Sequence, residues 1–471
     1  MHSSDSFNQE ARRKAHFANR LAAAIVIRYR TQPPAIIFLA AFAVRVLYLT
    51  LAHTYRFSPF EDRFTYGYEM ARIARALVTG YGYADPFSGH TGLTAWVPPA
   101  YPLLIALVFR VFGVYTLASA WMLLTLNSLF SATTCVPIYD IAARCYGRRA
   151  ALWSAWIWAL YPAAMQYAVR LVWETSLTTL LFTAALALAL RMRGIGEAVS
   201  ITPPSIGAAE ATQHASIARW LLFGVLWSVI ALSNPSLLLF LPVCGVWLLL
   251  GSPAKRPSLR STLLGPALAA LLFCACLAPW TLRNARVFHA FIPLRSNFGA
   301  ELYAGNGPGT FGFRYGVLIG LSPRDPQHQL YARLGEVAYV RQRGALARAW
   351  IRQHPGRCAA LSLKRFYFFW ASVPHPTTPR QAGDDLRELN YCFSSVAGLL
   401  GLALALKRRT PAAALLAWAF VLLPLTYYFV TVEARFRHPL EPLIVILAVY
   451  LFQSAGTRPG GAALESRAAL D

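Results

Sequence analysis

The sequence predicts an all-α polytopic membrane protein: a bundle of about ten transmembrane helices carrying interfacial helices and one larger loop region on its outer side. Three observations carry this expectation. Hydrophobic residues make up 56% of the 471-residue chain and charged residues only 14%, with a mean hydropathy of +0.43, too apolar a balance for an ordinary soluble domain. Several runs reach the roughly 18 to 20 apolar residues that a bilayer core of about 30 Å asks of a helix. Their Leu, Ala, Trp and Phe content lacks period-two alternation, which favours helices over a barrel.

The formal net charge is +24. Basic stripes with interleaved aromatics signal nucleic acid only when the aromatics are exposed, and here they sit in apolar spans. Anionic membrane lipids and phosphate are the expected partners instead, and no nucleic acid is expected. The seven cysteines are scattered; Cys135, Cys244, Cys274 and Cys276 fall inside apolar runs, where thiols behave as small hydrophobes. No metal-ligand spacing appears, so no metal residue is assigned; Cys358 and Cys392 have the one arrangement that could pair outside the membrane.

In chain order, residues 1–34 form a basic arm with Arg12, Arg13, Lys14, Arg20, Arg28 and Arg30, which the positive-inside rule places in the cytoplasm as an uncleaved segment. A first span then sends residues 54–117 to the opposite side. Spans near 118–145, 150–167, 171–190, 219–232, 235–250 and 262–280 complete a core over 35–280, with a Pro- and Ser-rich linker from Ile201 to Ala218. Residues 281–388 make a long outer region, which at that length escapes the charge rule. Spans near 389–406, 411–430 and 439–453 fill 389–456, and the tail 457–471 returns to the cytoplasm. No internal repeat of the kind that builds many transporters is present.

The first outer loop concentrates acids just beyond a span, where they either cap helices or do chemistry. Ser58, Pro59 and Glu61 have the spacing of a helix cap, which gives Glu61 a structural alternative. Met70, Ile73, Ala74, Leu77 and Val78 have helical spacing and predict an interfacial helix, with Glu69, Arg72 and Arg75 off its apolar stripe. Asp62, Tyr66 and Glu69 share one face if that helix continues through Gly67. Glu69, Asp62 and Glu61 are the candidate bases. Farther on, Gly80-Tyr81-Gly82-Tyr83 and Trp96-Val97-Pro98-Pro99-Ala100-Tyr101 read either as a headgroup-level aromatic belt or as a platform for a sugar, with Trp96 and Tyr101 facing it.

Arg45 lies midway along the first span, where an unpaired charge is costly, and it is expected to face the bundle. Asp140 with Arg144, and Arg170 with Glu174, stand at i, i+4 and read as ion pairs, the second with an alternative role in the site. Arg283 and Arg286 open the long outer region, which continues with Arg295, Asn297, Glu301 and Asn306-Gly307-Pro308-Gly309, and Arg435, Arg437 and His438 cap the last hairpin on the same side. Such clusters touch either ordinary headgroups or one specific lipid phosphate, whose oxygens a guanidinium fork matches in pairs.

The run Tyr68-Glu69-x-x-x-Ile73-Ala74-Arg75-x-Leu77, the Gly80-Tyr81-Gly82 segment and the run Pro98-Pro99-x-Tyr101-Pro102-Leu103-Leu104-Ile105-Ala106-Leu107-x-Phe109-x-x-Phe112-Gly113 resemble the GT-C superfamily. The similarity is to its branch of protein O-mannosyltransferases and lipid A aminoarabinose transferases, and it spans about residues 35–190. It implies a GT-C-like bundle and an integral membrane glycosyltransferase with an extracytoplasmic active site. Such an enzyme takes a sugar from a polyprenyl-phosphate donor and passes it to an acceptor hydroxyl on a lipid, glycan or protein. Two departures stand out: the adjacent Asp-Glu pair of that family is missing, leaving Glu69 as the nearest acid to Ile73-Ala74, and Trp96-Val97 replaces the acid or His before Pro-Pro. No cofactor is required by the sequence, and a divalent cation sharing the phosphate with Glu69 or Asp62 is allowed. A transporter or flippase of a lipid-linked saccharide is the alternative from another class; it asks for polar groups at the bilayer midplane, where Arg45 stands alone.

Overall fold

The computed structural model describes residues 34–57, 64–196, 217–250, 259–313, 324–373 and 382–456. Most of the basic arm, the cap at Ser58, the acids Glu61 and Asp62, nearly all of the linker from Ile201 and the tail 457–471 lie outside the described residues.

The described chain is helical. It runs α1 (Pro34–Leu51), α2 (Glu69–Val78), α3 (Ala100–Phe112), α4 (Leu117–Thr133), α5 (Cys135–Tyr146), α6 (Arg148–Leu160), α7 (Pro162–Arg170), α8 (Thr175–Met192) and α9 (Ile217–Ala231). It continues through α10 (Leu241–Leu250), α11 (Leu259–Phe288), α12 (Phe298–Asn306), α13 (Pro326–Leu334), α14 (Glu336–Gln353) and α15 (Pro355–Ala371). The last helices are α16 (Ala382–Lys407), α17 (Ala413–Leu422), α18 (Leu425–Phe429) and α19 (Glu441–Gly456), and short 3-10 turns precede α2, α10 and α19. Six stretches among the described residues are long and apolar enough to cross a membrane, and four shorter apolar helices accompany them. The chain is therefore an all-α polytopic membrane protein. One expected span divides where Tyr161, in an extended conformation, precedes Pro162 at the start of α7, a proline position that suits a helix start and no helix interior.

Without a hydrophobic drive between helices in lipid, close packing at small residues holds a bundle together. Gly401 of α16 shows this: a Cβ there would stand 2.1 Å from the carbonyl oxygen of Leu447 in α19. The first core fills the bundle around Trp158, Phe182, Trp227 and Ile444. A second core joins the segment between α1 and α4 to the segment between α11 and α15 through Phe87, Trp96, Tyr101, Tyr331 and Tyr339.

Several expectations change. The helix expected to end at Trp280 continues to Phe288, so Arg283 and Arg286 project from a helix and not from a loop. Gly67, at φ 77°, stops the short turn Phe64–Tyr66 before α2 begins at Glu69, so Tyr66 and Glu69 do not share one helical face. Arg72, expected to be wet, is 4% exposed and lies over the Tyr68 ring. The Asp140–Arg144 pair forms at 3.0 Å, and Arg191 joins it at the same distance. Arg170 turns to the Tyr48 hydroxyl and leaves Glu174 to other neighbours. Cys358 and Cys392 remain free thiols.

Candidate active site

The site begins with a close approach. A Cβ on Gly67 would lie 2.3 Å from the Val172 carbonyl oxygen, and the Val172 amide donates to Thr65 O at 2.7 Å. Only glycine permits both the positive φ and this contact. The extended segment between α7 and α8, which starts at Leu171 with φ −131° and ψ 128°, is thereby laid against the turn that opens α2. Glu69, the first residue of α2, and Glu174, the residue before α8, consequently face one cavity.

That cavity holds about 500 Å³. Its polar wall carries Glu69, Glu174, Arg295, Asn297, Glu301 and Arg435, and Trp96 and Trp173 line it too. Leu238, Leu239 and Pro242, from the turn and helix of one apolar stretch, add apolar side chains to the lining. Tyr427 and Phe436 also line it, with their rings stacked at 4.4 Å.

Opposite charges meet in this lining. Arg295 and Arg435 each feel the charges of Glu69 and Glu174. The Arg435 guanidinium sits 3.7 Å over the Trp173 ring, with Nε 2.8 Å from Glu433 Oε2. Despite that ion-pair contact its Nε makes no hydrogen bond, and its Nη1, Arg295 Nε and Glu174 Oε2 are likewise buried without a hydrogen-bond partner. Buried polar atoms of this kind are costly unless a ligand or water completes them. Burial pushes the Glu174 carboxyl above its usual range, against the pull of Arg435. Burial also presses the Arg295 guanidinium downward, with Glu174 and Glu69 opposing. Asn297 donates to Glu301 Oε1 at 3.1 Å. A cavity with carboxylates beside guanidinium forks can accept a proton from a hydroxyl and hold an anion at the same time. Among the described residues no three His, Cys, Asp or Glu side chains converge as a metal site.

Of the sequence candidates, Glu69, Trp96 and Arg435 line the cavity. Trp96 is only 1% exposed, its ring wedged against Phe87 and Tyr331, so it is wall and not an open platform. The others lie elsewhere. Tyr66 donates to Thr116 O at 2.9 Å and packs on Phe109 and Tyr115. Tyr101 donates to Asn127 Oδ1, and Asn127 Nδ2 donates to Leu171 O, a chain that supports the segment bearing Glu174. Arg45 is consumed by Ser131 Oγ and the carbonyls of Ala41, Trp158 and Ala159. Arg283 clamps Thr94 O and Tyr83 O, and Arg286 is exposed outside the lining. Arg437 pairs with Glu441 at 2.5 Å and binds Ser394 and Ser395. His438 is buried between Trp158 and Tyr167.

The sequence offers Glu174 to the site only as the alternative to an ion pair, and it carries Arg295, Asn297 and Glu301 in the stretch after Arg286 without singling them out; all four line the cavity. The i, i+4 spacing of Arg170 and Glu174 implied a helix through 171–174, and the break there is what frees the acid. Arg295 and Asn297 sit in a short connection between helices without periodicity to read.

No family model and no curated protein matches the sequence. Among solved structures, the apo oligosaccharyltransferase of Archaeoglobus fulgidus is 13% identical, with a TM-score of 0.48 over 91% of this chain and 52% of that one. The same archaeal enzyme, AglB, in complex with an inhibitory peptide and a dolichol-phosphate, is 14% identical, with a TM-score of 0.45 over 88% of this chain and 50% of that one. ArnT from Cupriavidus metallidurans bound to undecaprenyl phosphate is 14% identical, with a TM-score of 0.35 over 89% of this chain and 77% of that one. The chain spans about half the length of the oligosaccharyltransferase. At these identities and scores the likenesses carry neither a residue role nor an activity to this chain.

Proposed function

We propose that this protein is a membrane glycosyltransferase that moves a sugar from a polyprenyl-phosphate donor to an acceptor hydroxyl at the extracytoplasmic face. The observation that carries the reading is the meeting of Glu69 and Glu174 with Arg295 and Arg435 in one cavity whose lining also includes Leu238, Leu239 and Pro242. An amphiphile with an anionic head and an apolar tail suits a lining of this mixed chemistry.

A sugar phosphodiester has a ready leaving group, so the chemistry needs a base and a cationic cradle more than a strong acid. Glu69 takes the acceptor hydroxyl proton, and the acceptor oxygen attacks the anomeric carbon. The bond from that carbon to the phosphate oxygen breaks, and its electron pair leaves on the phosphate, where Arg295 and Arg435 stabilise the charge by paired hydrogen bonds. One displacement inverts the anomeric centre. Glu174, pushed toward its protonated form, is suited to hold a sugar hydroxyl or to share the base role. A divalent cation beside Glu69 is compatible with the same steps. The transport alternative loses its midplane group, since Arg45 is engaged by helix carbonyls and a serine.

The test is transfer by the purified protein from synthetic polyprenyl phosphates carrying different sugars, read by mass spectrometry of acceptor lipids, glycans and peptides. A glycosylated product of inverted configuration supports the reading, and movement of intact donor across vesicles without any transfer dismisses it.

A further inference from the structure

We propose that Glu336 is a positioning residue for the cavity, acting through Ser296 on Arg295 and through Ala95 on Trp96; this rests on the reading of Arg295 as a phosphate ligand. Glu336 opens α14, is 4% exposed and stands outside the cavity lining. Its Oε1 accepts from the Ala95 amide at 2.7 Å and from Ser296 Oγ at 2.7 Å. Its Oε2 accepts from the Tyr331 hydroxyl at 2.8 Å and from Thr94 Oγ1. The Ser296 amide donates to Ala95 O at 2.9 Å, so the two loops are joined directly and through the carboxylate.

The neighbours of these anchor points matter. Ser296 lies between Arg295 and Asn297, and Ala95 precedes Trp96; all three neighbours line the cavity. Tyr331 also sets its ring edge-on to Trp96. All four donors to Glu336 are neutral, and burial pushes its carboxyl above the usual range despite them. Apolar residues would join two loops at lower cost than a buried acid. What a carboxylate adds is two oxygens that each accept two bonds and so set distances to four donors, as supporting shells do around functional groups. A glutamine offers one such oxygen and puts an NH₂ group in place of the other.

The experiment is a double-mutant cycle on binding of undecaprenyl phosphate to the full chain in nanodiscs, with E336Q, R295K and the double variant. Each single change is expected to weaken binding about tenfold, and the pair to weaken it by little more than either alone, because both remove the same placed guanidinium. A purely structural Glu336 gives an additive loss, about a hundredfold, and additivity overturns the proposal. Unchanged affinity of E336Q beside a weakened R295K also overturns it, while leaving Arg295 as the phosphate ligand. Unchanged affinity of R295K removes the phosphate reading and the positioning role together. Should E336Q fail to fold, Ser296→Ala takes its place in the cycle, with a smaller but still non-additive loss expected and additivity again overturning the proposal.

Discussion

The guanidinium of Arg435 stands 3.7 Å over the indole of Trp173, and Glu433 holds its Nε from the side at 2.8 Å. A cation on an aromatic face gains about 0.5 to 2 kcal/mol, the more so when desolvated. The stack and the ion pair together hold the guanidinium, and its Nη1 is buried without a hydrogen-bond partner. Arg435→Lys keeps the charge and loses the plane. Turnover efficiency is expected to fall about 10-fold to 100-fold, mainly through donor KM, with thermal stability nearly unchanged. Normal kinetics of the lysine variant would take Arg435 out of donor binding.

Arg45 leads to the opposite expectation. Its guanidinium meets Ala159 O at 2.7 Å and Trp158 O at 3.2 Å, carbonyls in the last turn of α6, just before the Tyr161-Pro162 break. A basic group at a helix C-terminus satisfies orphan carbonyls and complements the dipole. Arg45→Met should therefore cost about 2 kcal/mol of stability, seen as a lower thermal midpoint in detergent, with turnover per folded molecule within about twofold of the parent. A variant of unchanged midpoint and lost turnover would return Arg45 to the site.

These two arginines show what was legible in the sequence. The helices could be read because a bilayer imposes a length and an apolarity on each of them, and the position of Arg45 inside one was visible for the same reason. What fills its hydrogen-bonding capacity was not, since Ala159 and Ser131 become its neighbours only through tertiary packing. Glu69 could be found because the stripe Met70, Ile73 and Ala74 fixes its helix. Glu174 was visible only as the alternative to an ion pair that its local spacing matched, and the contact that places it, Gly67 on Val172, spans about a hundred residues of chain. The buried acid Glu336 had no local signal at all, since its four donors come from three separate segments.

Glu174 also sets a pH dependence. Its folded pKa is raised, chiefly by burial, so between the ordinary carboxylate range and the raised value the folded chain holds a proton that the unfolded chain has released. Stability therefore falls as pH rises through that window, and above it the folded state bears the cost of a buried charge. Glu174→Gln removes the titration. At neutral pH the variant should unfold at a higher temperature than the parent, and the gap should close as pH is lowered toward the ordinary carboxylate range, while turnover drops. A neutral-pH midpoint below the parent's would mean that Arg435 and Arg295 outweigh the burial.

The last prediction concerns Glu69. It is the first residue of α2, held there by Gly67 and by burial of Met70, Ile73 and Ala74, so its backbone position at the cavity is set by turn and packing. A carboxylate at a helix N-terminus gains only about 0.3 to 1 kcal/mol from the dipole, and Glu69→Gln retains the shape and most of the hydrogen bonding, so folding should change little. The rate should change greatly, because an amide cannot take the acceptor proton; loss of a general base costs on the order of 100-fold to 10,000-fold. Glu174→Gln should be the milder lesion if that residue holds substrate, with the loss residing mostly in KM, whereas Glu69→Gln should lose kcat. The measurement is transfer from a synthetic polyprenyl-phosphate sugar by variants matched for thermal stability, across a range of pH. Near-normal kcat for Glu69→Gln, with the large loss found in Glu174→Gln instead, would move the base across the cavity to Glu174 and leave Glu69 as the partner that orients Arg295.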